Sequence, residues 1–153
     1  MQKITPFLWF DGNAEDAMNL YVSVFKDAKI GSVSRYGAAG PGPAGSVMTA
    51  SFSLQGQEFI ALNGGPIYKF TPAISFMVSC ETQEEVDHYW NALSAGGSEE
   101  PCGWLRDKFG MSWQIVPTAL PKLMTSKEPG RAGRVMQAML KMKKIDIKGL
   151  EDA

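Results

Sequence analysis

Side chains suited to metal binding and to nucleophilic chemistry are scarce in this sequence. Its 153 residues include one histidine, His88, and two cysteines, Cys80 and Cys102, which lie far apart without CxxC spacing. Any multi-histidine metal site, or any serine–histidine pair, would have to be built on that single imidazole. The two cysteines make neither a disulfide framework nor a zinc motif, so a reducing, cytoplasmic setting is the simplest expectation. An excess of charge of one sign is also missing. Fifteen Lys and Arg against sixteen Asp and Glu leave a net charge of -1, which argues against nucleic acid as a partner. No apolar run approaches the ~20 residues of a membrane span. The opening MQKITPFLWF has neither the apolar stretch nor the small-residue cleavage site of a signal peptide.

What the chain does have is a hydrophobic content of 44% with 10% aromatic residues. That is ample for a packed interior, and disorder is excluded. The length fits one domain, or two half-domains sharing a core.

Read from the start, residues 4–10 are apolar and aromatic and suit a strand, with Pro6 favouring an edge or a strand start. Asn13 is an expected N-cap, with Glu15 and Asp16 in the first turn where the helix dipole favours acids. Ala17, Leu20, Tyr21 and Val24 then follow the i, i+3, i+4, i+7 spacing of an amphipathic helix. Residues 30–36 form the next strand. The Gly-rich segment 37–46 reads as a hairpin loop, since it lacks the GK[ST] ending of a phosphate loop and leads into no helix. Strands over 47–54 and 58–63 complete a βαβββ unit, residues 3–63.

After a linker, 64–72, the pattern restarts. Residues 73–80 read as a strand, Thr82 with Glu85 as a capping box, and Val86, Tyr89, Trp90 and Leu93 as the apolar face of a second helix ended by Gly96–Gly97. Short strands near 98–102 and 103–107 and a strong one over 111–116 give a compressed second unit, 73–117. Residues 118–153 form a tail whose helix, 119–142, carries the stripe Val135, Ala138, Met139 and Met142, read as packing surface. The expected fold is therefore α+β: two tandem βαβββ units forming curved mixed sheets around a cavity, plus a C-terminal helical tail.

Alternation along the strands separates two faces. Phe7, Trp9, Ile60, Leu62, Ile74, Phe76, Val78, Trp113 and Ile115 form a large apolar set, expected beneath the helices. The opposite set, Pro6, Leu8, Phe10, Phe59, Ala61, Asn63, Ala73, Ser75, Met77, Ser79, Ser112, Gln114 and Val116, mixes small, polar and aromatic residues. It suits a partly wet concavity. The amides of Asn63 and Gln114 are expected to meet water, each other or a ligand, because a buried amide without partners costs ~1–3 kcal/mol.

The stretches PFLWFDGNAEDAMNLYVSVF, ISFMVSCETQEEVDHYWNALSAGG and CGWLRDKFGMSWQIVP, followed by AMLKM, cover most of residues 4–142. They resemble the vicinal-oxygen-chelate superfamily (glyoxalase, bleomycin resistance, dioxygenase), and within it the PhnB-like group, also labelled demethylubiquinone methyltransferase-like. That resemblance implies a U-shaped sheet from each unit, concave faces enclosing a cavity, and in metalloenzyme members a divalent metal held by His, Glu, His, Glu from first and last strands. Carried onto this chain, those places are Pro6, Asn63, Ala73 and Gln114. Proline and alanine have no side-chain donor, and Asn and Gln offer only neutral carbonyl oxygens where a dication wants imidazole or carboxylate. No metal and no cofactor are therefore expected. No GxGxG strand–helix element for S-adenosylmethionine is present either, so the methyltransferase label has no support from the residues.

The function expected is a metal-free binding protein taking a small organic molecule into the sheet cavity. Leu8, Phe10, Phe59 and Met77 would give apolar contact, and Asn63, Ser75, Ser112 and Gln114 would orient the ligand. Two alternatives stay open: an enzyme of unknown reaction using Gln114 and Asn63 or an atypical metal site, and an interaction module with a vestigial cavity. Relatives of this type commonly pair, so a homodimer is expected, with units from one chain or from both building each cavity and Met136, Met139 and Met142 placed to cover a neighbour. His88 is read as a solvated helix residue, the cysteines as packing residues, and Arg106 as paired with Asp107 or with an acid of the tail, the alternative being a clamp for an anionic ligand at the cavity rim.

Overall fold

The computed structural model describes residues 2–153. It divides into two compact units, one ending at Phe70 and the other spanning Thr71–Ala153. Unit one runs β1 (Phe7–Phe10), α1 (Ala14–Val24), β2 (Ala28–Arg35), β3 (Val47–Leu54) and β4 (Gln57–Asn63). Unit two repeats this order as β5 (Ser75–Cys80), α2 (Gln83–Ser94), β6 (Ser98–Glu99), β7 (Trp104–Arg106) and β8 (Ser112–Pro117). The sheets have identical topology, β1-β4-β3-β2 and β5-β8-β7-β6. In each, the first and last strands run parallel and the others antiparallel. The α+β class and the tandem βαβββ repeat expected from the sequence are present.

In unit one, β3 and β4 meet in a two-residue hairpin. Gln55 and Gly56 both have positive φ, 52° and 81°, as a tight hairpin turn matching strand twist requires. That turn sets Leu54 opposite Gln57 and Phe52 opposite Phe59. Phe52 and Phe59 stack with ring centroids 5.3 Å apart, and Tyr21 of α1 lies 6.1 Å from Phe52. Around them Leu8, Phe10, Ala50, Leu54 and Ala61 are buried against Ala17, Met18 and Val24. Apolar area removed from water at ~25 cal/mol per Å² makes this the main stabilising cluster of the unit.

Unit two packs β7 and β8 through Leu105, Trp113 and Ile115 beneath Val86, Tyr89, Trp90 and Leu93 of α2, all of them buried. The helix opens on Thr82, whose side chain accepts from Glu85 N at 3.2 Å, while Glu85 accepts from Glu81 N at 3.0 Å. Asp107, only 2% exposed, ties the β7–β8 turn: Oδ1 accepts from Phe109 N (2.9 Å) and Met111 N (3.0 Å), and Oδ2 from Trp113 Nε1 (2.9 Å).

The tail departs from the single helix expected over 119–142. It forms α3 (Ala119–Met124), α4 (Arg131–Leu140) and α5 (Ile147–Glu151). Pro129 cannot continue α3, and Gly130 adopts φ 76° at the start of α4. Val135, Ile145 and Leu150 are fully buried, with Ala138, Met139 and Met142 packed on them. The expected stripe thus packs within its own chain, whereas Met136 is 36% exposed. Gln83 of α2 donates to Ile145 O (3.0 Å) and accepts from Ile147 N (2.8 Å), fastening tail to helix. Gly103, at φ 84°, lies where a Cβ would sit 2.9 Å from both Ile115 O and Ile145, so only glycine fits there. No described helix is long and apolar enough to cross a membrane.

Candidate functional site

Strand register decides which side chains share a face. In unit one, Phe7 pairs with Ile60 and Trp9 with Leu62, and Ile60 and Leu62 pair with Ser51 and Thr49. This set lies opposite the helix-covered one, and its members are half-buried except for Phe7, which is 57% exposed. The expectation for unit one is thus reversed. Leu8, Phe10 and Phe59 are core residues, 6%, 2% and 5% exposed, and Phe7, Trp9, Ile60 and Leu62 form the face turned from α1, where Tyr68 packs on Trp9.

Asn63 is held by backbone on both sides of its amide. Its Oδ1 accepts from Ala14 N at 2.9 Å, and its Nδ2 donates to Val47 O at 3.0 Å. The first amide of α1 is thereby capped from β4. Asn13, at the N-cap position, makes no side-chain cap bond. Both polar ends of the Asn63 amide are engaged by backbone.

In unit two the expected faces hold within the strands, but Ile74, expected beneath the helix, lies ahead of β5 and is 67% exposed. Ser75 pairs with Ser112, and Met77 with Gln114. Ser112 pairs in turn with Arg106, and Gln114 with Trp104. One row across three strands therefore reads Ser75–Ser112–Arg106, and the next Met77–Gln114–Trp104. Adjacent strands stand ~4.8 Å apart, so these are lateral neighbours. Gln114 Nε2 donates to Ser75 Oγ at 2.9 Å. Ser112 is fully buried, and its hydroxyl has no hydrogen-bond partner. Arg106 Nε meets Glu100 Oε2 at 2.9 Å; the pairing expected with Asp107 or a tail acid is replaced, because Asp107 points into the turn.

The four unit-two candidates, Ser75, Met77, Ser112 and Gln114, thus come together on one face. The four from unit one, Leu8, Phe10, Phe59 and Asn63, do not join a common open surface. Trp104 and Arg106 belong to the unit-two face; Trp104 was absent from the expected set, and Arg106 entered only as the alternative anion clamp. The pairing of a short hairpin, WLRDKFGMSWQ, is the signal that places them there. Met77 is 60% exposed, so this face presents an apolar thioether beside its polar groups.

A concavity lies within unit one, a cleft of about 410 Å³ bordered by Asp11, Tyr36, Gly42, Ser46, Gly64 and the candidate Asn63. The 37–46 loop forms one wall. Tyr36 N donates to Ser46 O (2.9 Å), Gly45 N to Tyr36 O (2.8 Å), and the Tyr36 hydroxyl to Asn63 O (2.5 Å). Gly42 rests on the Tyr36 ring with no room for a Cβ.

The donor chemistry for a divalent ion is poor at each place the resemblance indicates. Pro6 and Ala73 offer no side-chain donor, Asn63 is engaged as a helix cap, and Gln114 is bonded to Ser75. The neighbouring parity in unit one offers Phe7 and Leu62, which have none either. Among the described residues, no three His, Cys, Asp or Glu side chains are gathered in a metal-binding cluster. His88 is exposed on α2, its ring against Tyr89. Cys80 is buried, and burial, with Glu85 adding its charge, pushes its thiol up to about 12; it is no thiolate nucleophile at neutral pH.

Comparison with known proteins supplies the family. The model of the 3-demethylubiquinone-9 3-methyltransferase family matches residues 2–116, so α3–α5 lie beyond the match. The PhnB protein of Bacillus cereus is 43% identical, with a TM-score of 0.70 over 76% of this chain and 100% of that one. Protein PA1353 of Pseudomonas aeruginosa is 22% identical, with a TM-score of 0.64 over 76% of this chain and 98% of that one. A fosfomycin resistance protein, FosX, of Listeria monocytogenes, in complex with Mn(II) and 1S,2S-dihydroxypropylphosphonic acid, is 14% identical with a TM-score of 0.54, over 76% and 93% of the two chains. These likenesses show the glyoxalase/bleomycin-resistance type of fold. No curated protein matches.

Proposed function

The chain belongs to the 3-demethylubiquinone-9 3-methyltransferase family, and we propose that it is a metal-free protein that binds a small organic molecule on the sheet face of its second unit turned away from α2. One observation carries this reading: the buried Ser112 hydroxyl without a partner, next to the Gln114–Ser75 pair on the face turned away from α2. A buried hydroxyl left unsatisfied costs ~1–3 kcal/mol. A ligand oxygen or nitrogen arriving there recovers that cost, whereas a merely structural sheet face has no use for it. Met77 and Trp104 supply apolar contact beside the polar row.

The absence of suitable donors at Pro6, Asn63, Ala73 and Gln114 supports binding without a metal. No side chain of the face has the placement of a nucleophile with its base, so the reading is sequestration or delivery rather than turnover. The reading also takes the chain as a cytoplasmic homodimer. Two unpaired cysteines suit a reducing compartment. The exposed Phe7 of unit one and Ile74 of unit two, 57% and 67% accessible, are each apolar surface that a second copy would cover. Light scattering reports the mass directly, and a monomer at micromolar concentration refutes that part.

A small-molecule thermal-shift screen tests the binding. A ligand at 100 times its dissociation constant adds ~2.7 kcal/mol of stability, and Gln114→Leu should abolish the shift while leaving the fold intact. A saturable shift with Zn²⁺ or Ni²⁺ that Gln114→Ala removes would overturn the metal-free reading.

A further inference from the structure

We infer that the ligand of this face is a small, flat monocarboxylate, an aromatic acid rather than a phosphate ester or a neutral amide. The inference rests on the reading that the unit-two face is the binding surface, and it names the chemistry that the face selects.

The row Ser75–Ser112–Arg106 sets the polar requirement. Ser75 Oγ already receives a hydrogen bond from Gln114 Nε2. Ser112 Oγ has no protein partner. Arg106 uses Nε on Glu100, which leaves its two Nη groups available. A group lying on this row meets the guanidinium fork directly, and reaches the Ser112 hydroxyl donor, which is sealed from solvent, only when a neighbouring side chain shifts. Donors of this kind, one of them cationic, favour an anionic oxygen pair in a plane.

Glu100 sets the limit on charge. With Arg106 it makes a neutral pair before any ligand arrives, and its carboxylate oxygen is 2.9 Å from the guanidinium. A monoanion shares the arginine with one acid. A dianionic phosphate would bring twice the negative charge up to the same acid, and like charges at this separation repel. A neutral amide gains nothing from the guanidinium and sends its own N–H groups toward other donors.

The next row, Met77–Gln114–Trp104, sets the shape. The indole lies on one side and the thioether on the other, a pairing that suits a flat ring. Gln114 between them keeps Oε1 as an acceptor for a ring hydroxyl.

The test uses three probes with the full chain: phenylacetate, phenyl phosphate and phenylacetamide, each titrated calorimetrically at low and high salt. Phenylacetate is expected to bind at least 10-fold tighter than phenylacetamide, with phenyl phosphate between them or weaker, and the gap should narrow in high salt. Arg106→Gln should remove the gap. Ser112→Ala should weaken phenylacetate several-fold without lowering the melting temperature of the unliganded protein, which separates lost recognition from misfolding. Equal binding of phenylacetamide, tighter binding of phenyl phosphate, or a gap that survives Arg106→Gln overturns the carboxylate. If phenylacetamide binds as well as the acid and Gln114→Leu removes both, the binding surface stands and only its charge preference falls. If none of the three binds saturably, the carboxylate is refuted, and the binding reading itself is then decided by the wider screen.

Discussion

Replacing Asn63 with alanine separates a structural role from a ligand role. Its side chain joins three elements, accepting from Ala14 N of α1 at 2.9 Å and donating from β4 to Val47 O of β3 at 3.0 Å. Ala14 is fully buried and Val47 is 4% exposed, so water cannot readily replace either bond. Losing an N-cap acceptor costs ~1 kcal/mol in an exposed helix, and orphaning a buried polar group costs ~1–3 kcal/mol. Together Asn63→Ala should lose about 2–4 kcal/mol. For a chain of this size that is a fall in melting temperature of roughly 5–15 °C. Asn63→Asp keeps the acceptor, loses the donor and places its charge at the positive end of α1, so it should fall between the two. Urea unfolding gives the free energy, and amide exchange at Ala14 reports the cap itself. A loss below ~0.5 kcal/mol, or unchanged protection of Ala14, refutes the reasoning. So does an Asn63→Ala protein of full stability that has lost ligand affinity.

Four further outcomes are expected. Asp107→Ala leaves Phe109 N, Met111 N and the Trp113 indole without their common acceptor, the last two in buried surroundings and the first part-buried; it should cost ~3–5 kcal/mol or prevent folding, and a chain that unfolds at the wild-type urea concentration contradicts this. Cys80 should resist iodoacetamide in the native protein while half-buried Cys102 reacts first, as mass spectrometry of the alkylated peptides will show. Because Cys80 keeps its proton up to about 12 when folded but loses it near ~8.5 when unfolded, its contribution to stability is full below that lower value. It declines as pH rises toward 12, by up to ~1.4 kcal/mol per pH unit, and Cys80→Ala should flatten the alkaline slope by that amount; an unchanged slope refutes the assignment. Gln83→Ala should loosen the tail, raising amide exchange at Ile147 well above the rest of unit two, and unchanged exchange there would show that packing and the bonds from Cys102 N and Gly103 N to the tail suffice to hold it.

The repeat and most of its elements were legible because each strand and helix announces itself locally. The Thr82–Glu85 box, the Tyr89, Trp90 and Leu93 face and the Gly96–Gly97 stop each act within a few residues. The break in the tail was less visible. A proline–glycine pair at Pro129–Gly130 stands inside a stretch that otherwise reads as helical, and Gln83, whose amide holds the tail, looks like any exposed helix residue until the chain has folded back. The same is true of Asn63, since nothing in the sequence says that an amide on β4 meets the first N–H of a helix 49 residues earlier.

The reversed faces of unit one have a more instructive cause. On β1 and β4 both parities are apolar: Phe7, Trp9, Ile60 and Leu62 against Leu8, Phe10, Phe59 and Ala61. Hydrophobicity along those two strands cannot say which set the helix covers. β3 can, because Ala50, Phe52 and Leu54 alternate with Thr49, Ser51 and Ser53, and a strand buried on one side keeps its hydroxyls on the other. The Gln55–Gly56 turn transmits that choice: a two-residue loop with positive φ at both positions fixes Leu54 opposite Gln57. Phe59 and Ala61 are thereby committed to the side of Phe52 and Ala50, and a shift of one residue would invert every side chain. The parallel pairing of β4 with β1 then assigns Leu8 to the core beside Ala61. In unit two no such chain of inference is needed, because Ser75, Ser112 and Gln114 oppose Phe76, Trp113 and Ile115 within the strands themselves. A face is therefore read most safely from the strand whose two parities differ most, and carried to its neighbours through the turn that fixes their register.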